Sequence, residues 1–135
     1  MSLRTDILAV LQADGQLNTS LPGGVYDAAE VGEISRQSTE DAFDENKEPK
    51  NCALMRLETE TPTGPYPTSS RLFLIVNFYG DANDDARERV FALLNMTKIG
   101  TNVWEIRHVD DVLDQTDDAL GVSLALSRYQ VTRLR

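Results

Sequence analysis

At 135 residues the chain is long enough for one domain with a real core and too short to split convincingly into two, so a single domain over 1–135 is expected. Apolar residues at 41% and charged residues at 26% exclude the low-hydrophobicity, high-charge class that stays disordered. No apolar run approaches the ~20 residues of a membrane helix, and the start MSLRTDILAVLQAD lacks the basic and apolar blocks of a signal peptide, so no membrane association and a cytoplasmic origin are expected.

Taken in chain order, Leu3, Ile7, Leu8, Val10 and Leu11 follow helical spacing from a Ser2 cap, with Asp14-Gly15 as a stop. LNTSLPGG reads as a turn-rich connection, and Val25-Tyr26 as a short strand. Residues 27–50 show no sustained period and hold Asp27, Glu30, Glu33, Glu40, Asp41, Asp44, Glu45 and Glu48 against Arg36, Lys47 and Lys50, a net charge of −5. This segment reads as a long acidic loop excursion anchored by Ile34 and Phe43, with Ser38 and Asp41 starting one short helix.

Cys52 to Leu57 reads as a strand covered on both sides, and ETETPTGPYPTSS as a long hairpin loop broken by proline. The strongest strand signal runs from Arg71 to Tyr79. Leu72, Leu74, Val76 and Phe78 face one way while Phe73, Ile75, Asn77 and Tyr79 face the other, and both faces are apolar. Such a strand must be covered twice, by helices on one side and on the other by a neighbouring subunit, an internal strand or a folded loop. A neighbouring subunit is the natural second cover in so short a chain, which makes Phe73, Ile75 and Tyr79 candidate interface residues.

Gly80 ends that strand, Asp81 is placed to cap a second helix, and Ala82, Ala86, Val90, Phe91 and Leu94 form its apolar stripe, widened by Leu93 and Met96. Val103 to Val109 reads as a strand. The acids Asp110, Asp111, Asp114, Asp117 and Asp118 then add −5 with no base among them, so the two acidic segments outweigh the whole net charge of −9 and leave the remainder at +1. They read as a solvated, mobile loop face that repels phosphate, which argues against nucleic-acid binding driven by counterion release. A last strand spans about 121–134, where apolar residues move from even positions (Val122, Leu124, Leu126) to odd ones (Tyr129, Val131), as a bulge would produce. The order predicts an α+β fold, two-layer, with a mainly antiparallel sheet and two principal helices.

Motifs for chemistry are sparse. His108 is the single histidine, Cys52 the single cysteine, and neither a hydrolase elbow, a phosphate-cradling glycine loop nor HExxH is present. Cys52 reads as a small buried hydrophobe, and His108 as a surface histidine at a strand end, although a general-base role with Asp110 is conceivable. Asp81-Ala82-Asn83-Asp84-Asp85 imitates the start of a calcium loop but has Ala86 at the turn glycine and Ala92 at the bidentate acid. Asp114, Asp117 and Asp118 offer at most a weak cation cluster. No cofactor, no metal site and no catalytic residue is expected, and the chain reads as a non-enzyme.

The arrangement of LRTDILAVL, VYDA, STEDAFDENKEPKNCALMRLETETPTGP, SRLFLIVNFYGDANDDARERVFALL and the closing SRYQVTRLR resembles the tail terminator and tail-completion (head-to-tail joining) proteins of tailed bacteriophages. The resemblance spans nearly the whole chain. It implies a structural subunit of a virion neck or tail, assembled in the host cytoplasm as a homo-oligomeric ring, typically of six, that caps the tail tube. Implied partners are the tail tube protein and the head connector or stopper proteins, with DNA passing through without specific binding. In that setting Pro65 and Tyr66 of the proline-rich hairpin join Phe73, Ile75 and Tyr79 as subunit contacts, and Asp110, Asp111, Asp114, Asp117 and Asp118 face the channel. The competing readings are a small-molecule-binding regulatory α+β module, which predicts a pocket and a defined monomer or dimer, and an enzyme that uses Asp and His.

Overall fold

The computed structural model describes residues 2–63, 69–81 and 83–134. Helix α1 (Leu3–Ala13) starts where the Ser2 hydroxyl accepts the Thr5 amide at 3.1 Å, and it buries Leu3, Ile7 and Leu11. It stops at Asp14, but not in a loop. The Asp14 carboxylate accepts the Leu17 amide at 2.8 Å and so starts α2 (Gly15–Ser20), a short helix where a turn-rich connection was expected. Strand β1 (Val25–Asp27) follows, and Asp27 caps the four-residue α3 (Ala28–Val31) through the Ala29 amide.

The remaining elements are β2 (Cys52–Pro62), β3 (Ser69–Tyr79), α4 (Asp84–Leu94), β4 (Val103–Asp117) and β5 (Val122–Leu134). They form one five-stranded sheet of order β1-β2-β3-β5-β4, antiparallel except for the β1–β2 pair. This is an α+β fold with two eleven-residue helices, α1 and α4, as expected. Strands β2 and β3 run further into the proline-rich segment than their patterns indicated, to Pro62 and from Ser69.

The sheet's two faces are covered differently. Under α1, α2 and α4 lie Met55, Leu72, Leu74, Val76, Phe78, Tyr129 and Val131, packed with Ile7, Leu11, Leu17, Val90 and Leu94. On the opposite face the excursion folds back, so that Ile34, Ala42 and Phe43 pack on Cys52, Leu54 and Tyr79, with Leu120, Val122 and Leu124 at the margin. A 3-10 turn over Glu40–Ala42 lies within it, but no side chain caps that turn, and the expected Ser38 cap is replaced by a knot of side-chain bonds among Ser35, Ser38 and Thr39.

This arrangement corrects three expectations. The register between β3 and β5 is unbroken from Ser69–Leu134 to Tyr79–Leu124, so β5 has no bulge against β3. Its apolar residues change parity because they change cover. Leu124 and Leu126 lie on the excursion's face, whereas Tyr129 and Val131 lie under the helices. The shifts occur instead between β4 and β5, at three places along the edge. Second, Asn83 and not Asp81 holds the cap position of α4, while Asp84 and Asp85 do occupy its first turn. Third, in the α4 stripe Ala86, Val90 and Leu94 are fully buried, but Phe91 and Met96 are exposed; Ala82 lies outside the described residues.

Gly80, which joins β3 to the approach to α4, has φ +112°, and a Cβ there would stand 1.9 Å from Asn51 Oδ1. Only glycine permits both the left-handed backbone and that approach.

Candidate functional site

The doubly apolar strand is covered on its second face by its own polypeptide. Ile75 and Tyr79 are 6% and 8% exposed, the latter beneath the folded excursion, so their burial no longer requires a neighbouring subunit. Phe73 is half-buried, further along the same face and beyond the excursion's apolar cluster. Its neighbours there are polar: it lies opposite Glu58 on β2 and Gln130 on β5. Pro65 and Tyr66 lie outside the described residues.

The acidic segment after Val109 is strand as far as Asp117, not mobile loop, and Asp118 lies in the turn that follows. β4 continues through it to Asp117, paired with β5 from Val122 onward. Its five acids are not equivalent. Asp110 sits opposite Arg128 and takes a fork of two hydrogen bonds, Arg128 Nε donating at 2.7 Å and the second guanidinium nitrogen donating to the other oxygen. That pairing holds the Asp110 carboxyl below the usual range and raises Arg128.

Asp111 points to the helix side. Ser127 Oγ donates to it at 2.6 Å, Arg87 donates at 3.2 Å, and His108 Nε2 lies 2.9 Å away. Partial burial works to raise its pKa, but the Ser127 and His108 hydrogen bonds and the Arg87 charge prevail, and the carboxyl is lowered. Asp117 accepts the Leu120 amide at 2.9 Å and so shapes the β4–β5 turn, Asp114 occupies a left-handed backbone position at φ 57°, and Asp118 is exposed.

His108 is therefore bound to Asp111 and not to Asp110. Its ring also meets Phe91 and Tyr129 edge-on, each at 5.3 Å between centroids. A histidine held by a carboxylate and two rings is placed for packing, and the serine of this cluster, Ser127, is buried and donates to Asp111, not to the imidazole. Beside it the Tyr129 hydroxyl and Arg87 Nε are buried with no protein hydrogen-bond partner. The cleft lined by Arg87, Glu88, Phe91, His108 and Asp111 holds about 200 Å³, less than the ~300 Å³ at which small-molecule pockets usually begin. Cys52 is fully buried, as read from the sequence, and burial pushes its thiol up to about 12. Among the described residues no three His, Cys, Asp or Glu side chains gather closely enough to hold a metal ion.

Pairing brings both acidic segments to one end of the sheet. Cys52, Tyr79, Leu124 and Gln115 are level across β2, β3, β5 and β4, and the excursion packs on that end. Toward the opposite end lie Arg71, Arg107 and Arg133, while Arg56 is level with Arg128 and Asp110 in between. Sequence reading located the two acidic blocks, but the long-range pairing that makes neighbours of them carries no local signal. The β4 edge was also missed as a surface. Val109, Val112 and Leu113 are 44%, 36% and 48% exposed on it, and the apolar residues set among the acids, without a period of two, gave no clean strand signal.

No family model matches the chain, and no curated protein matches its sequence. Among solved structures it is similar to a chain of the virion of a native gene transfer agent particle. That similarity has a TM-score of 0.62 and 12% sequence identity, and it covers 99% of this chain and 96% of the other. At such identity the likeness concerns the fold.

Proposed function

We propose that this chain is a structural, non-enzymatic component of a phage-like particle, a ring-forming subunit of the neck or tail that terminates the tail tube and joins it to the head connector. The observation that carries the reading is the end-to-end likeness to a virion chain, in which almost nothing of either chain is left over. A shared fold alone would not assign a role. Support also comes from the exposed apolar side chains of Val109, Val112 and Leu113 along β4, which a neighbouring subunit would cover.

On this reading the acid-rich end borders the path of DNA, where negative charge lets the duplex pass without adhering. Of the β4 acids, Asp110 and Asp111 are already opposed by Arg128 and Arg87, so on this reading Asp114, Asp117 and Asp118 join the excursion's acids in supplying that field. Phe73, with Pro65 and Tyr66, is proposed to meet neighbouring subunits.

The test is removal of the gene from a particle-producing host, followed by electron microscopy. A tube that has lost its terminator has nothing to stop its growth or to couple it to the head. Tails of irregular length and unjoined heads are expected, and both should be restored by the wild-type chain. Particles of normal length and normal joining would refute the role.

A further inference from the structure

Helix α4 and strand β4 run side by side in opposite directions. Arg87 donates to Asp111 at 3.2 Å, the Phe91 ring meets His108 edge-on, and the Met96 amide donates to the Ile106 carbonyl at 2.7 Å. That last contact closes the space between them at one end, and toward the start of α4 it stays open as a furrow. Two adjoining clefts with Arg87 in common make it up. One, of about 200 Å³, lies at Glu88, Phe91 and His108, and the other, of about 240 Å³, at Asp81, Asp84, Leu113 and Asp114. From Asp84 to Phe91 the furrow extends ~10 Å at the rise of a helix, the length of three or four residues of extended chain. Each cleft is smaller than a typical small-molecule pocket and has room for a side chain.

The furrow exposes two large apolar side chains, Phe91 at 40% and Leu113 at 48%. Val112, opposite Leu126, is on the other face of the sheet and stays outside it. Its acids also outnumber its bases: Asp81, Asp84, Glu88, Asp111 and Asp114 line it against Arg87, five carboxylates to one guanidinium, a net −4 with His108 neutral. Arg87 is shared between Asp84 and Asp111, and among the described residues no ion pair reaches Asp81, Glu88 or Asp114. Below the floor, the fully buried Tyr129 hydroxyl and Arg87 Nε have no hydrogen-bond partner. The charges that act on that hydroxyl are Asp111, Arg87 and Glu88, all of which line the furrow. Both groups are donors without an acceptor in the chain, and the backbone carbonyls of an occupant are acceptors.

We infer that this furrow docks a short basic segment of a different protein, which seats an apolar side chain on Phe91 and Leu113 and sets lysine or arginine against Asp81, Glu88 and Asp114. Charge decides the class of occupant, because a cationic segment is the one whose entry offsets the furrow's net charge, whereas nucleic acid is repelled. A second copy of this chain is a poor source. Arg4, Arg56, Arg89, Arg107, Arg128 and Arg133 are each held by a carboxylate of their own chain. Arg36, Lys47 and Lys50 stand inside the excursion, whose net charge is −5. Among the described residues Arg71 and Lys98 remain, one on β3 and one after α4, so no short segment outside the excursion brings two unengaged cations. The inference holds whether or not the chain belongs to a particle.

The probes are two synthetic peptides, KLRLK and its acidic counterpart ELELE, both with blocked ends, titrated into the isotope-labelled full chain and followed by NMR. KLRLK should shift the amides of residues 87–91 and 111–115 saturably, and ELELE should not. Glu88→Gln with Asp114→Asn removes two carboxylates that hold no ion pair, and asparagine suits the left-handed backbone of position 114, at φ 57°. This double variant should keep the dispersed spectrum of the folded chain and bind KLRLK about fivefold more weakly, the scale of two exposed ion pairs. Leu113→Ser should weaken binding as well, through the apolar contact. Shifts centred on residues 27–50, an affinity indifferent to these substitutions, or no saturable shift would each overturn the furrow as a docking site. A wild-type oligomer that the double variant dissolves would give the furrow to a second copy and overturn the occupant. None of these outcomes bears on the gene-removal phenotype, so the virion role stands or falls separately.

Discussion

Val76 and Tyr79 lie three residues apart on one strand and both are buried, yet by structures of different kinds. Val76 is under a helix layer whose apolar stripes repeat at helical spacing and whose backbone satisfies itself. Tyr79 is under irregular chain that holds its shape through side-chain bonds: Thr39 Oγ1 accepting the Ser35 amide, Asp44 Oδ1 accepting the Asn46 and Glu48 amides, and Arg36 donating to the Lys47 carbonyl. Three apolar anchors, Ile34, Ala42 and Phe43, do the covering. The same sheet thus carries a cooperative face and a face whose cover is free to open alone, since segments with few buried apolar contacts open at lower free energy than the core.

Substitutions on the two faces should separate these behaviours. Phe78→Ala, at a fully buried position under the helices, is expected to cost about 3–5 kcal/mol in denaturant unfolding, with protection lost across the whole sheet. Ile34→Ala, in the excursion, should cost about 2 kcal/mol, the low end for such truncations. In hydrogen exchange its effect should stay within residues 28–50 and the strand ends beneath them. Equal losses of global stability from the two variants would break the comparison.

A third variant sharpens the helix side. Arg89 on α4 grips Asp14 with two hydrogen bonds, at 2.9 and 2.7 Å, and with the Leu17 amide they lower that carboxyl to about 2. A carboxyl whose folded pKa lies below its ordinary 3.8 stabilises the fold above that ordinary value and loses the contribution as pH falls toward 2. The wild type is therefore expected to lose Tm between pH 4 and pH 2, and Asp14→Asn to flatten that fall. The smallest effect belongs to Tyr129→Phe. Its hydroxyl is buried without a protein partner, so its removal should change stability by less than about 1 kcal/mol. A larger loss would show that the hydroxyl is satisfied by bound water.

The same contrast explains what could be read from sequence. Leu3, Ile7 and Leu11, and again Ala86, Val90 and Leu94, carry a period that belongs to a helix wherever it packs, and Leu72 to Phe78 carry one that belongs to a strand. The need for a second cover over Ile75 and Tyr79 was equally legible, since apolarity on both faces demands it. Ile34 and Phe43 were legible as anchors and a folded loop as one of the possible covers, but that these anchors close over Tyr79 was not, because they reach the sheet through a path with no period, set by Ser35, Thr39 and Asp44. The short helix α2 was hidden for a related reason: Asp14 ends one helix and starts the next, and only its bond to the Leu17 amide distinguishes that from a turn. In the acidic set, charge marked Asp110 and Asp111 alike, whereas their partners Arg128 and Arg87 are supplied by the pairing of distant strands and by α4.

The buried thiol of Cys52 gives the excursion its own clock. It lies against Ile34, Ala42 and Phe43 at the start of β2 and ionises only near pH 12, so an alkylating reagent finds no target while the flap is shut. The rate of labelling at neutral pH, followed by mass, then reports how often residues 28–50 lift from the sheet, and a docking partner that clamps them would slow it.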